Sequence, residues 1–311
     1  MIRLRSNDAC WCGSGKKFKR CHGDHVSYRR PPVEAGVVST PRLVPPTIVR
    51  PDYVDSVRPA SPSPQIITAP DELAALRRAC RVAAEVLQTV GAAVAPGVTT
   101  EELDALAHRA YLERGSYPST LGYGTYRKSI CTSVNEVVCH GIPDDRPLEP
   151  GDIVNVDVTA YVDGFHGDCS ATFAAGALDA PTAALVAAAE EARAVGIAAV
   201  RPGQPVRVIG QAIQRFAHAR GLGVVADYGG HGIGRVFHGP PHIFHVDDRS
   251  GTTVMCPGMV FTIEPMLNAG VATHDMWDDG WTVATADGLP SAQFEHTVIV
   301  TETGAEALTV C

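Results

Sequence analysis

NVDVTAYVDGFHGD, residues 155–168, reads as a β-hairpin. Asp163-Gly164 is a strong two-residue turn signal, and β-branched residues flank it on both sides. With those two residues as the turn, Val162 pairs with Phe165 and Asp168 faces Thr159. Asp157 then lies two residues away on the same face, with diagonal neighbours of this kind about 7–8 Å apart at Cα. Asp is depleted in strands, and a buried carboxylate is costly unless it is paired or bound to a cation. Two carboxylates converging between strands repel one another unless a cation joins them or one takes up a proton. The hairpin therefore predicts a cation-binding pair on a two-stranded platform.

Helix pairs flank this platform, and they repeat. Thr68-Ala-Pro70-Asp predicts a helix with Thr68 as N-cap, carrying an apolar stripe of Leu73, Leu76, Val82, Val86 and Leu87 to about residue 93. Pro96-Gly97 breaks it, Thr99 or Thr100 caps EELDALAHRAYLER, and Gly115 ends that helix. Asp179 and Pro181 open an Ala-rich helix, Pro202-Gly203 breaks it, and a helix from about Pro205 ends at Gly221. Each of the two glycine pairs is separated by 106 residues. Tyr/Gly-rich stretches (SYPSTLGYG and VVADYGGHG) and then strands follow each helix pair. This predicts an α+β domain of two pseudo-symmetric halves with its site between them.

Further ligand types stand at strand-like positions downstream. MVFTIEP (259–265) alternates, placing Glu264 on a face with Val260 and Thr262. SAQFEHTVIV (291–300) reads as one strand with Glu295 inside it, and GGHGIGRVFHGPPH (229–242) is a glycine-rich stretch with His231 and His238. Taken singly, each acid reads as a solvated residue near a turn, and His231 as a loop histidine satisfied by backbone. Four carboxylates and a histidine together suit hard or borderline divalent ions. A pair of ions sharing bridging carboxylates accounts for so many acids in one place, and such pairs activate water in aminopeptidases.

The 311-residue chain carries a net charge of −8, unevenly spread. Residues 1–30 hold eight Lys/Arg against two Asp/Glu, a basic arm on an acidic body. Within the arm, CWCGSGKKFKRCH places Cys10, Cys12, Cys21 and His22 in a C-x-C-x₈-C-H pattern. Three thiolates and an imidazole make a closed tetrahedral zinc site; a metal-free reactive dithiol is the competing reading. Lys16, Lys17, Lys19 and Arg20 give this segment a basic face. Residues 31–66 hold nine prolines and read as extended and partly polyproline II, yet Ile48, Val49, Tyr53 and Val54 give them apolar groups to lay on the body. The expected organisation is a zinc segment (1–25), a proline-rich linker (26–66) and one large domain (67–311). No run of eighteen apolar residues predicts a membrane helix, and MIRLRSNDAC lacks the apolar core of a secretory signal. Nine cysteines without a regular framework point to a reducing cytoplasm.

Taken in order, NVDVTAYVDGFHGD, GGHGIGRVFHGPP, FTIEP, QFEHTVIV and SICTSVNEVVCHGIPDDRPLEPGDIVNVDV closely resemble type 1 methionine aminopeptidase, of the pita-bread fold. The likeness spans about residues 67–310, and the amino-terminal pattern resembles the SEC-C zinc motif. The resemblance implies that Asp157 chelates one metal, that Asp168 and Glu295 bridge two, and that His231 and Glu264 bind the second. It makes Glu264 the proton shuttle as well, sets His238 against the scissile carbonyl and sets His140 near the scissile amide nitrogen. Tyr123, Tyr126, Cys131, Phe237 and Trp281 match the family's methionine-pocket positions, although each alone reads equally well as core. Asn135, Val137 and Ser291 match a monovalent-cation site. Arg127 stands where the family pattern has proline, which bears on the shape of that loop.

The implied function is removal of the N-terminal methionine from nascent proteins whose second residue is small. Two divalent ions (cobalt, manganese, iron or zinc) would serve the site and one zinc the amino-terminal segment. The expected protein is a cytoplasmic monomer, with the basic zinc segment docking at the ribosome. Two rivals differ in class: an X-Pro peptidase of the same fold, and a non-catalytic pita-bread protein that adapts partners to the ribosome. About 66 residues precede the body, which leaves little room for the large N-terminal domain usual in X-Pro enzymes, and loss of ligands would mark the non-catalytic rival.

Overall fold

The computed structural model describes residues 32–55 and 63–310, together with Lys17. Cys10, Cys12, Cys21 and His22 lie outside the described residues. A short helix, α1 (Asp52–Asp55), belongs to the proline-rich stretch. The first half of the body has helices α2 (Pro70–Gly91) and α3 (Thr100–Glu113). Its strands are β1 (Tyr117–Pro118), β2 (Cys131–Val134), β3 (Val137–Cys139), β4 (Asp152–Val162) and β5 (Phe165–Ala175). The second half opens with α4 (Ala180–Ala199) and α5 (Arg207–Ala219). Strands β6 (Gly223–Val224), β7 (Gly230–Gly232), β8 (Gly239–Ile243), β9 (Val260–Ile263) and β10 (Met266–Asn268) follow. The last are β11 (His274–Met276), β12 (Val283–Thr285), β13 (Ser291–Gln293), β14 (His296–Val300) and β15 (Ala305–Ala307).

Local chemistry explains the helix ends. Thr99 and Glu102 form a reciprocal capping box at the start of α3. The Asp179 carboxylate accepts from Thr182 N at 2.8 Å to open α4, with Pro181 in its first turn. The expected cap of α2 is corrected: its N-cap is Ala69, without a side-chain hydrogen bond, and Pro70 sits at the first turn. Pro70 removes one of the four unpaired first-turn N–H groups, and Asp71 and Glu72 in that turn favour the helix start, so the N-cap of α2 falls one residue beyond Thr68 without a side-chain cap. The internal repeat appears in the backbone as well. Gly97 and Gly203 have φ of 88° and 83°, and Gly115 and Gly221 have φ of 66° and 71°. Left-handed conformations recur at equivalent places because each half makes the same helix exits.

Each half has its own apolar core. Leu76, Val86, Leu103 and Tyr111 of the first helix pair pack with Val154, Val156 and Val158 of β4. Leu185, Ile209 and Ile213 of the second pack with Phe261, Ile263 and Val298. A fully buried Leu or Ile contributes about 1.5–3 kcal/mol relative to leaving it exposed. The β4–β5 hairpin is the longest ladder, with β4 flanked further by β1 and β2. The second half builds β15-β14-β9-β7-β8 and β13-β10-β6. Among the described residues no helix is long and apolar enough to cross a membrane.

Residues 32–55 lie along the body. Gly36 N donates to Asp144 Oδ2 at 2.8 Å and Val37 N to Asp145 Oδ1 at 2.7 Å. Arg42 pairs with Glu101 and with Asp104, and the buried Lys128 ammonium bonds Glu101 and Ser39 Oγ. Val44 is buried against Tyr117 and Leu121. This strap runs beside the loop that carries Tyr123 and Tyr126.

Candidate metal centre and active site

The register predicted for 155–168 is the one observed. Val162 pairs with Phe165, Thr159 with Asp168 and Asp157 with Ser170. Asp163 and Gly164 have φ of 54° and 82°, both left-handed as a type I′ turn requires. Asp157 and Asp168 therefore leave the hairpin on one face, close enough to share a hydrogen bond.

Glu264 and Glu295 arrive differently from the sequence expectation. SAQFEHTVIV is not one strand. It divides into β13, paired with β10, and β14, paired with β9. Gln293 faces Met266 and His296 faces Ile263, so Glu264-Pro265 and Phe294-Glu295 lie opposite one another in a shared interruption of the ladder. Glu264 likewise falls just beyond β9 rather than within the alternation. Proline has no N–H for a ladder bond, and the strands change sheets at that point. Glu295 N instead bonds Ser170 O at 2.9 Å, which ties the interruption to the aspartate hairpin.

His231 completes the cluster from β7. Its Nδ1 lies 3.2 Å from Gly232 O, which places the proton on Nδ1 and leaves the Nε2 lone pair free. That Nε2 is 3.7 Å from both Asp168 Oδ2 and Glu264 Oε1. Asp168, His231 and Glu295 each offer a ligand atom, all within 4.8 Å of one another. The unused lone pairs are held by neighbours. Thr159 Oγ1 donates to Asp168 Oδ1 at 2.8 Å, Thr262 Oγ1 to Glu264 Oε1 at 2.8 Å, and Gln293 Nε2 to Glu264 Oε2 at 3.1 Å. These buried donors fix the carboxylate planes, leaving Asp168 Oδ2 turned toward His231 and holding Glu264 through both oxygens.

Burial pushes the Asp157 carboxyl up to about 7. Burial, with the neighbouring Asp157 charge, pushes Glu264 up to about 8. Asp168 and Glu295 are raised well above the usual range by burial first and by the adjoining acids second. Burial moves His231 the other way, to about 4, so its imidazole is neutral and available as a ligand. Four buried acids, each raised by burial and three of them also by neighbouring carboxylates, beside one neutral imidazole, are chemically suited to divalent ions.

All five groups open into one cavity of about 480 Å³, together with His140, His238, Tyr123, Tyr126, Cys131, Phe237 and Trp281. Every active-site residue anticipated from the sequence is thus brought together. His140 sits at φ 57° directly after β3, a strained conformation of the sort found at functional sites. His238 lies tilted between Phe237 and His231, with centroids 4.0 and 4.1 Å away, and its buried Nδ1 has no partner. Tyr126 reaches the Ile130 and Gly141 carbonyls at 3.1 and 3.0 Å and meets Trp281 edge-on at 5.2 Å. The loop therefore seats Tyr126 in the cavity although Arg127 replaces proline; Arg127 itself is exposed. Asn135 O accepts from Ser291 N at 2.9 Å, and Ser291 Oγ is buried without a partner, so two of the three residues matched to a monovalent-cation site do meet.

His166, between the two aspartates in sequence, joins no ligand set and bonds Ser119 Oγ through Nδ1 at 2.9 Å. Met266, Thr120 and Tyr228 also line the cavity and were not anticipated. A signal existed for Met266, two residues beyond Glu264. Thr262 and Gln293, which orient Glu264, were equally visible as residues two positions from a ligand.

Residues 74–302 match metallopeptidase family M24, and residues 7–24 match the SEC-C motif. The chain belongs to metallopeptidase family M24. Over 280 residues this M24 chain is 49% identical to a Mycobacterium tuberculosis protein called methionine aminopeptidase 2, covering 90% of the chain and 98% of that relative. The crystal structure of methionine aminopeptidase from Rickettsia prowazekii superposes with a TM-score of 0.78 at 43% identity, over 80% of this chain and all of that one. Prolidase from Pyrococcus furiosus has the same fold, with a TM-score of 0.65 at 22% identity, over 79% of this chain and 66% of its own. Within M24 the chain is of the type 1 methionine aminopeptidase kind carrying a SEC-C motif, and its fold is the pita-bread fold of these relatives.

Proposed function

We propose that this M24 metallopeptidase releases the N-terminal methionine of proteins and peptides whose second residue is small. We assign Asp157, Asp168, His231, Glu264 and Glu295 as ligands of two divalent ions. The observation that carries the assignment is their convergence, with two further histidines, on the polar wall of a cavity whose other wall is Tyr123, Tyr126, Phe237, Met266 and Trp281. An apolar pocket next to a hard-ligand cluster accepts a thioether side chain while its backbone meets the acids.

Divalent ions held by that cluster would supply Lewis-acid polarisation of a water and of the scissile carbonyl. Glu264, fixed through both oxygens by Thr262 and Gln293, takes the proton of the attacking water and returns it to the leaving amine. His238, whose buried Nδ1 lacks a protein partner, hydrogen-bonds the carbonyl oxygen as negative charge develops there. His140, kept neutral by burial with its value lowered to about 4, donates or accepts at the scissile amide without adding charge. Asn135, Val137 and Ser291 form a monovalent-cation site in this reading.

In the same reading Cys10, Cys12, Cys21 and His22 would hold a structural zinc, with Lys16, Lys17, Lys19 and Arg20 as the basic residues for a ribosome contact. Residues 1–25, 26–66 and 67–311 remain the proposed units, in a cytoplasmic monomer, with residues 32–55 laid along the catalytic body. Salt-sensitive cosedimentation with ribosomes, lost on deleting residues 1–25, is the expected result for the amino-terminal role.

The catalytic assignment is tested with a panel of Met-Ala, Met-Leu and Ala-Pro peptides. Met-Ala is expected to be cleaved preferentially, with turnover abolished by Asp157→Ala or Glu264→Ala. Preference for Ala-Pro, or full activity in a metal-stripped alanine variant, would overturn it.

A further inference from the structure

One side chain of the proline-rich stretch reaches the back of the methionine pocket. Tyr53 projects from α1 into a cluster of rings. It meets Tyr123 edge-on with centroids 5.1 Å apart, stacks on His166 at 6.0 Å and lies tilted against Phe237 at 6.5 Å. Its hydroxyl donates to the Ser119 carbonyl, and Ser119 Oγ in turn meets His166 Nδ1. Tyr53 does not line the cavity, whereas Tyr123 and Phe237 do.

The loop bearing Tyr123 cannot fix that ring by its own backbone. Gly122 and Gly124 on either side adopt φ of 81° and 58°. The loop's backbone–backbone bonds are internal (Gly122 N to Tyr126 O, Tyr123 N to Thr120 O and Tyr126 N to Tyr123 O), and outside ties such as Tyr117 Oη to Leu121 O and Trp281 Nε1 to Thr125 Oγ1 do not touch the Tyr123 ring. The Tyr123 ring is therefore located by the side chains packed on it. Phe237 and His238, each 4.9 Å away, contact it from the β7–β8 side, and Tyr53 contacts it from the strap. Val54 also faces this loop, since a Cβ placed on Gly122 would lie 3.6 Å from its side chain.

We propose that Tyr53 is a positioning residue of the active site, setting the Tyr123 and Phe237 rings that wall the methionine pocket, so that α1 takes part in recognising the substrate side chain. The proposal rests on reading the cavity as a methionine pocket. Because Tyr53 touches rings that grip the substrate and none of the acids, its loss weakens binding of ground and transition states alike, and the effect falls on KM rather than kcat. An aromatic contact of this geometry accounts for up to about a tenfold change.

The test uses the full-length, metal-loaded chain, with steady-state kinetics on a Met-Ala-Ser peptide and calorimetric titration of L-methionine. Tyr53→Ala is expected to raise KM about tenfold and to weaken methionine binding by a similar factor, with kcat within about twofold. Tyr53→Phe, which keeps the ring, restores both values to within about twofold of the unsubstituted chain. Val44→Ala loosens the strap elsewhere and leaves both unchanged. Where Tyr53→Ala does not fold, Tyr53→Leu fills the space without the ring and carries the same expectation. Unchanged KM and methionine affinity in a folded variant would overturn the proposal. So would equal losses in Val44→Ala, which would make the effect one of general attachment. Failure of the unsubstituted chain to release methionine would instead overturn the functional reading on which the proposal rests.

Discussion

Thr159 and Asp168 face one another across the β4–β5 hairpin, and the Thr159 hydroxyl donates to Asp168 Oδ1 at 2.8 Å. That bond fixes the carboxylate plane and leaves Oδ2 directed at His231. Thr159→Val keeps the strand shape and removes the donor. Metal affinity, measured by titration of the stripped protein, is expected to fall about 10–100-fold with a parallel loss of activity, as for other groups that orient metal ligands. Unaltered affinity would show that the hairpin backbone alone aims Asp168.

The same pair shows where sequence was sufficient. Asp163-Gly164 fixes both turn conformations and hence the register of every pair in that hairpin, so the placement of Asp157 and Asp168 depends on local chemistry alone. The helix-pair repeat was legible for a similar reason, since glycines with left-handed φ mark the helix exits. Glu264 and Glu295 were recognisable as ligand types, but the divided strands that deliver them were not. That interruption is a tertiary arrangement in which Glu264-Pro265 and Phe294-Glu295 meet across sheets, and no alternation pattern encodes it. Many strands here, such as β1, β6 and β7, are only two or three residues long and too short to show a period. Tyr53 was legible only as one of four apolar groups that could lie on the body, because a proline-rich stretch has no periodicity to say which side chain turns inward.

The acids make metal-free stability depend on pH. Asp157 and Glu264 lie at about 7 and about 8 in the fold against ordinary values of 3.8 and 4.5. The folded state therefore binds more protons than the unfolded state in that interval, and stability falls as pH rises through the folded values. Buried His231 and His140, both lowered to about 4 from 6.5, act oppositely below pH 6.5 and contribute no further change above it. Between about pH 6.5 and 8.5 the acids lower stability, and the buried Cys80, Cys131, Cys139 and Cys169, all raised by burial, act in the same direction at the upper end. The Tm of stripped protein is expected to fall across that window, and divalent metal to flatten the fall. A Tm of the stripped protein that rises across it would contradict the origin assigned to these shifts.

Gly167 sets how closely the hairpin approaches α2. A Cβ there would lie 2.4 Å from Cys80 N and 2.5 Å from Cys80 Cα, both backbone atoms of a helix that cannot yield. Gly167→Ala is expected to destabilise the protein by about 1–3 kcal/mol in urea unfolding. Because Asp168 is the next residue, the displaced strand should also reduce turnover at temperatures where the variant remains folded. Gly164→Ala, where the added atom meets nothing, should leave turnover intact and cost only the strain of its positive φ.

His238 offers the sharpest separation of binding from chemistry. Its ring is held between Phe237 and His231, and burial, reinforced by the neighbouring histidines, keeps it neutral with a value well below 6.5. A neutral imidazole with an unpartnered buried nitrogen can bond a carbonyl oxygen more strongly as charge grows on it, because the site is desolvated and the ring does not need to move. His238→Ala is therefore expected to lower kcat about 10²-fold on a Met-Ala peptide while KM changes little. Raising pH across the neutral range should not alter the size of that deficit, since the group it removes carries no charge there. A mutant whose KM rises with kcat preserved would place His238 in ground-state binding of the substrate instead.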